Sequence, residues 1–169
     1  MNDYRSTVPA GKDTIRTRII AEILRVLAVA PFEEEYPEGT PEYRKLFDIS
    51  KRGNLEDLSA RETPAAAVEE GNEETTENIY QLTDKRLRLY IHFKVVKVQG
   101  VDPEPLINYY FGRIAQLFVT TTTHFADLAM DIAEAGNSIQ INGSTDNEPG
   151  GTIYFDVDYR HQRGNMFEE

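Results

Sequence analysis

Two runs of strict alternation constrain this chain more than anything else in it. In "RLRLYIHFKVVKV" (86–98), Leu87, Leu89, Ile91, Phe93 and Val95 alternate with Arg88, Tyr90, His92 and Lys94. In "GGTIYFDVDYRHQRGN" (150–165), Ile153, Phe155, Val157 and Tyr159 alternate with Tyr154, Asp156, Asp158 and Arg160. Side chains on a strand point to opposite faces in turn, so each run hides one face and leaves the other free. A sheet buried on both sides would show continuous apolar runs instead. The pattern calls for an antiparallel sheet covered on one side.

The cover comes from two helical segments. From Asp13 or Thr14 as cap, Ile15, Ile19, Ile23, Val26 and Leu27 recur at helical spacing until Pro31. In "VDPEPLINYYFGRIAQLF" (101–118), Asp102 caps, Pro103 opens the first turn, and Leu106, Tyr110, Ile114, Leu117 and Phe118 form the apolar side. Between them, 32–63 reads as an acidic, proline-punctuated excursion, solvated and partly mobile. Within it "PEYRKLFDI" (41–49) has the makings of a short amphipathic helix that docks on a neighbour. A brief strand "PAAAV" (64–68) and an acidic loop "EEGNEETTEN" follow. Residues 119–136 fit helix or strand, with some helical spacing in "HFADLAMDIA", and "NSIQIN" (137–142) reads as a short strand before a loop at 143–151. The expected class is α+β, a mostly antiparallel sheet with helices packed on one face plus the long excursion. The expected organisation is one domain over 1–169, with a flexible arm at 1–12 and a polar tail at 162–169.

Charge and composition narrow the functions. The net charge is −11, and 31–80 alone holds 14 acids against 5 bases. That balance opposes wrapping the outside of a nucleic acid, where lysine and arginine must neutralise phosphates. It permits standing beside one and repelling it. With no cysteine, disulfides and thiolate metal sites are excluded. The longest apolar run, "IIAEILRVLAVA" (19–30), is broken by Glu22 and Arg25 and is shorter than the roughly 20 residues of a membrane span. No signal peptide is visible, and a cytosolic chain is expected.

No phosphate loop, paired-histidine metal helix or nucleophile elbow is present. The sharpest candidate for chemistry is Asp156, Asp158 and His161, an oxygen-rich group that a hard cation could favour. Alternation alone already explains both aspartates. Asp127, Asp131 and Glu134 would line up only on a helix, and His92 reads as an ordinary exposed histidine. The stronger contrast is between strands: Arg86, Arg88, His92 and Lys94 on one, and Asp156, Asp158 and Arg160 on the other. As neighbours they would pair within the subunit. Apart, a basic and an acidic stripe would suit a head-to-tail contact between copies.

The succession "TIRTRIIAEILRVLA", "PAAAV", "LRLYIHFKVVKV", "DPEPLINYYFGRIAQLF" and "TIYFDVDYRHQRG", over about residues 13–161, resembles the tail terminator (tail completion) proteins of long-tailed bacteriophages, and related neck and minor tail proteins. The resemblance implies a non-enzymatic virion protein without cofactor or metal, made in the host cytoplasm. Such a subunit forms a ring, usually a hexamer, that caps the tail tube and ends its growth. Its partners are its own copies, the tail tube protein and the connector or stopper protein of the head. Genomic DNA passes through the hole without specific binding. A head-completion or neck connector protein is the alternative, and a small metal-dependent hydrolase a weaker one. On the ring reading Arg86, Arg88, Lys94, Asp156, Asp158 and Arg160 are the expected interface charges, and 143–151 and 32–63 the partner-facing segments.

Overall fold

A computed structural model describes residues 13–55, 63–119, 127–140 and 148–165; the expected arm at 1–12 and most of the 143–151 loop lie outside them. Seven elements follow in order: α1 (Ile15–Val29), β1 (Ile49–Arg52), β2 (Ala65–Ile79), β3 (Leu82–Lys94), α2 (Glu104–Val119), β4 (Asp131–Gln140) and β5 (Gly150–Gln162). The strands form one sheet in the order β1-β2-β3-β5-β4. Only the β1–β2 pair is parallel. The class is α+β.

Local chemistry explains the helices. Thr14 caps α1, its hydroxyl accepting from the amide of Thr17 at 3.2 Å, and Asp102 accepts from the amide of Glu104 at 3.0 Å ahead of α2. Ile15, Ile19, Ile20, Ile23 and Leu27 of α1 enter the core, as do Ile107, Tyr110, Phe111, Ile114 and Phe118 of α2. They meet Leu87, Leu89, Ile91 and Phe93 of β3 and Ile153, Phe155, Val157 and Tyr159 of β5. These are the apolar members of the two alternating runs, so both helices lie on one side of the sheet. Phe118 meets Phe155 edge to face at 5.3 Å, and Phe93 meets Phe111 at 5.1 Å.

Three segments depart from the sequence reading. The brief strand and acidic loop at 64–78 are one strand of 15 residues, β2, paired with β3 nearly to the hairpin end. Glutamate, asparagine and glycine are poor strand formers, and cross-strand pairing overrides them. Glu70 and Glu73 even point to the helix side, where Arg16 of α1 reaches both. Arg52 adds a further bond to Glu70, Lys85 lies 3.7 Å from Glu73, and the Tyr159 hydroxyl donates to Glu73 at 2.5 Å.

The second departure is at 41–49, where no helix forms. The chain runs back along the end of α1, with a bridge between Pro31 and Lys45 and the Leu46 amide donating to the Ala30 carbonyl at 2.7 Å. Leu46 and Phe47 are fully buried in the core of their own subunit. Arg113, buried on α2, donates to the Pro31 carbonyl at 3.0 Å, and Tyr109 donates to the Phe32 carbonyl at 2.5 Å. The described part of the excursion is therefore stitched down.

Third, the ambiguous region resolves from Asp131 into β4, which carries on through the expected strand as far as Gln140.

Candidate functional site

Among the described residues, the other side of the sheet carries no helix. At one corner Leu55 packs on Ala65 and Ala67, and the rest of the β3–β5 surface is open to partial solvent contact. The register of the two strands fixes what stands there. Asp84 lies opposite Arg160, Arg86 opposite Asp158, Arg88 opposite Asp156, Tyr90 opposite Tyr154, and His92 opposite Thr152. These five rungs all share the open face, because they are the alternate partners of the buried positions.

Three consecutive rungs are forked arginine–aspartate pairs: β3 supplies the arginine in two of them, and β5 supplies it in the third. Arg86 donates to the two Asp158 oxygens at 2.8 and 2.9 Å, and Arg88 to those of Asp156 at 2.6 and 2.9 Å. Arg160 donates to both oxygens of Asp84 at 2.6 and 2.8 Å. Two parallel bonds per pair hold each guanidinium flat against its carboxylate. The bonds from Arg160 hold the Asp84 carboxyl below its ordinary range, against a smaller opposing effect of burial. The facing aspartates push Arg86 and Arg88 further up, so both stay charged.

The next two rungs are aromatic and polar. The rings of Tyr90 and Tyr154 lie 5.9 Å apart, and the Arg88 guanidinium sits 5.5 Å above the Tyr154 ring. His92 stacks on Tyr90 at 6.1 Å and bridges the Thr152 hydroxyl and the Glu69 carboxylate, both at 2.8 Å. Two glycines at bulges in the flanking strands make room for the tyrosines. A Cβ on Gly71 of β2 would stand 2.6 Å from the Tyr90 ring, and one on Gly136 of β4 2.3 Å from the Tyr154 hydroxyl oxygen. Each ring thus lies across bare backbone, and the bulges keep the outer strands clear of it.

The expected interface charges therefore divide. Arg86, Arg88, Asp156 and Asp158 come together as two adjacent rungs, and Arg160 joins them through Asp84, a partner the sequence reading placed before the strand began. Lys94 stands apart, donating to the Leu55 carbonyl at 3.0 Å. The neighbouring arrangement of the two strands is the one that forms, and the opposite charges meet inside one subunit.

The metal group is corrected. Asp156 and Asp158 share the open face, while His161 is buried on the helix side with Nδ1 2.7 Å from the Gln162 carbonyl. Even and odd positions of one strand cannot converge, a parity legible in the numbering. Asp131 and Glu134 likewise fall on opposite faces of β4, opposite Asp158 and Phe155. Among the described residues no cluster of histidine, aspartate and glutamate could hold a metal ion.

Glu69, His92 and Thr152 form a carboxylate–imidazole–hydroxyl relay, the arrangement that activates nucleophiles elsewhere. Thr152 is buried, and the adjoining cavity of about 530 Å³ is lined by Glu69, His92 and Lys94 but not by Thr152. The relay fixes the imidazole and offers no hydroxyl to a substrate. Among the described residues no helix is long and apolar enough to cross a membrane. No protein-family model matches the chain, and no curated protein matches it.

Proposed function

We propose that the chain is a structural subunit of a bacteriophage tail ring, a hexamer that caps the tail tube, ends its polymerisation and joins it to the connector of the head. The observation that carries this reading is the sheet face that bears no helix among the described residues: five successive rungs of paired side chains, buried at Asp84 and Thr152 and exposed or partly exposed at Arg86, Arg88, Tyr90 and Tyr154. A stiff patterned face of this kind suits contact with another protein, where rigid polar and aromatic groups lose little entropy on binding. The order of elements, which resembles the one expected of tail terminator proteins, gives the reading its direction.

Charge supports a passage for DNA. Six chains of −11 each carry −66 in total, and a like-charged lumen lets a polyanion slide without sticking. The open face itself is nearly balanced, since its arginines and aspartates pair off. The surplus acid lies on 33–48 and along β2. Function here is the geometry of interfaces.

The test is to add purified chain to polymerising tail tube protein and image the products by electron microscopy. Shortened tubes ending in a ring are expected. Tubes that grow to the same length with bare ends would sink the capping role. Rings that leave tubes unaffected but bind the head connector would move the subunit to the neck, as a head-completion protein.

A further inference from the structure

We infer that the tip of the β2–β3 hairpin is a knob that seats in an apolar groove of the next copy of this chain, joining copies head to tail. The inference rests on the ring reading and names the contact that would build it.

The knob is an oddity of the turn. Ile79 pairs with Leu82, leaving Tyr80 and Gln81 as a two-residue connection. Tyr80 has a φ of 52°, a region where glycine sits freely and a bulky residue is strained. Its side chain is 94% exposed, and Ile79 beside it is 40% exposed. A large ring held in a strained turn and pointed at water does nothing for its own subunit. Such a placement is a reason to look for a use outside it.

The groove lies at the other end of the same strand. Where β3 runs out, Val96, Val98 and Val101 are 47%, 55% and 61% exposed. With Pro103, Leu106 and Pro149 they line a depression of about 630 Å³, mostly apolar. Three exposed valines close in sequence, curved into a hollow, are the kind of patch that marks a contact. Asp102 at its edge is engaged in capping α2, and Glu148 accepts from the Lys97 amide at 3.2 Å. The Lys97 ammonium forms no ion pair among the described residues, while the arm behind the knob carries Glu74 and Glu77. Cation at the rim and acid on the arm are complementary.

The positions decide the occupant. Thirteen residues of β3 separate knob from groove, about 40 Å at the rise of a strand. A subunit cannot fill its own groove. A second copy can, and its own groove is then free for a third. That is a heterologous contact, which makes a ring when the rotation closes and a filament when it does not.

The chain has no cysteine, so an engineered pair reports without background. The double variant Tyr80→Cys/Val98→Cys is oxidised at moderate concentration, run on a denaturing gel without reductant, and compared with each single variant. Light scattering gives the particle mass of the unmodified chain, and of Tyr80→Gly, which removes the knob and relieves the turn. A ladder of cross-linked species that stops at one size, single variants giving dimers at most, and loss of the large particle in Tyr80→Gly are expected. A large particle with no ladder, or one that Tyr80→Gly leaves intact, overturns the knob contact while the ring stands. A ladder without an upper limit supports the contact and overturns the closed ring. A chain that stays monomeric and gives no ladder overturns both.

Discussion

Arg88 shows how one side chain can serve two surfaces. It forks onto Asp156 across the strand pair and lies over the Tyr154 ring at its side. Reversing it alone, Arg88→Glu, sets like charges opposite each other and should weaken the fold and assembly together. The exchange Arg88→Glu/Asp156→Arg restores the internal pair with its direction inverted. We expect its thermal midpoint to recover toward that of the unmodified chain while the assembled particle stays weakened, because a neighbour would meet the wrong sign. Full recovery of both in sedimentation would make the rung an internal feature alone.

Asp84 carries a pH dependence of stated sign. Its carboxyl is lowered in the folded state, first by the bonds from Arg160. The stabilisation is present above the ordinary aspartate range and is lost as pH falls through the depressed folded value. Asp84→Asn removes that component. Urea unfolding at about pH 5 and about pH 2.5 should show a smaller loss for the variant than for the unmodified chain; equal losses would place the acid sensitivity elsewhere. The effect is modest, as the Arg160 side of the pair is exposed to water.

Among the elements, those whose instructions are local were legible in the sequence. Alternation placed β3 and β5, and capping residues placed α1 and α2 to within a few residues. What escaped was written at long range. The acids of β2 look like a loop until Arg16 and Lys85, brought by other elements, neutralise Glu70 and Glu73. The segment 41–49 has helical spacing, yet Leu46 and Phe47 are drawn into the core as a pair of plugs with the backbone bridged to Pro31. Phe47 lies 5.3 Å from Tyr110 and 6.3 Å from Phe93. Phe47→Ala should therefore cost about 3–5 kcal/mol of unfolding free energy, as expected for a large ring removed from a packed core. A loss below about 1 kcal/mol, a surface-like value, would mean the segment is not part of the core.

At the scale of the whole molecule, the arrangement is one-sided by construction. Two helices and the plug of 46–47 occupy one face, and a ladder of matched charges and rings occupies the other. The ladder was half legible. Five of its charges, Arg86, Arg88, Asp156, Asp158 and Arg160, were visible from alternation, while Asp84, Glu69, Thr152 and the two bulge glycines depended on a register that sequence does not print. Their common effect is a stiff face that costs its own subunit little to expose. On the proposed ring reading, this face is the surface that a neighbouring copy would meet.

The most direct measurement is the native mass of the purified chain, alone and mixed with tail tube protein. At 19.3 kDa per chain, a sixfold particle weighs six times that, about 116 kDa, and a narrow peak there is the predicted result. A single species at the mass of one chain in both samples would contradict the account, whatever the beauty of its ladder.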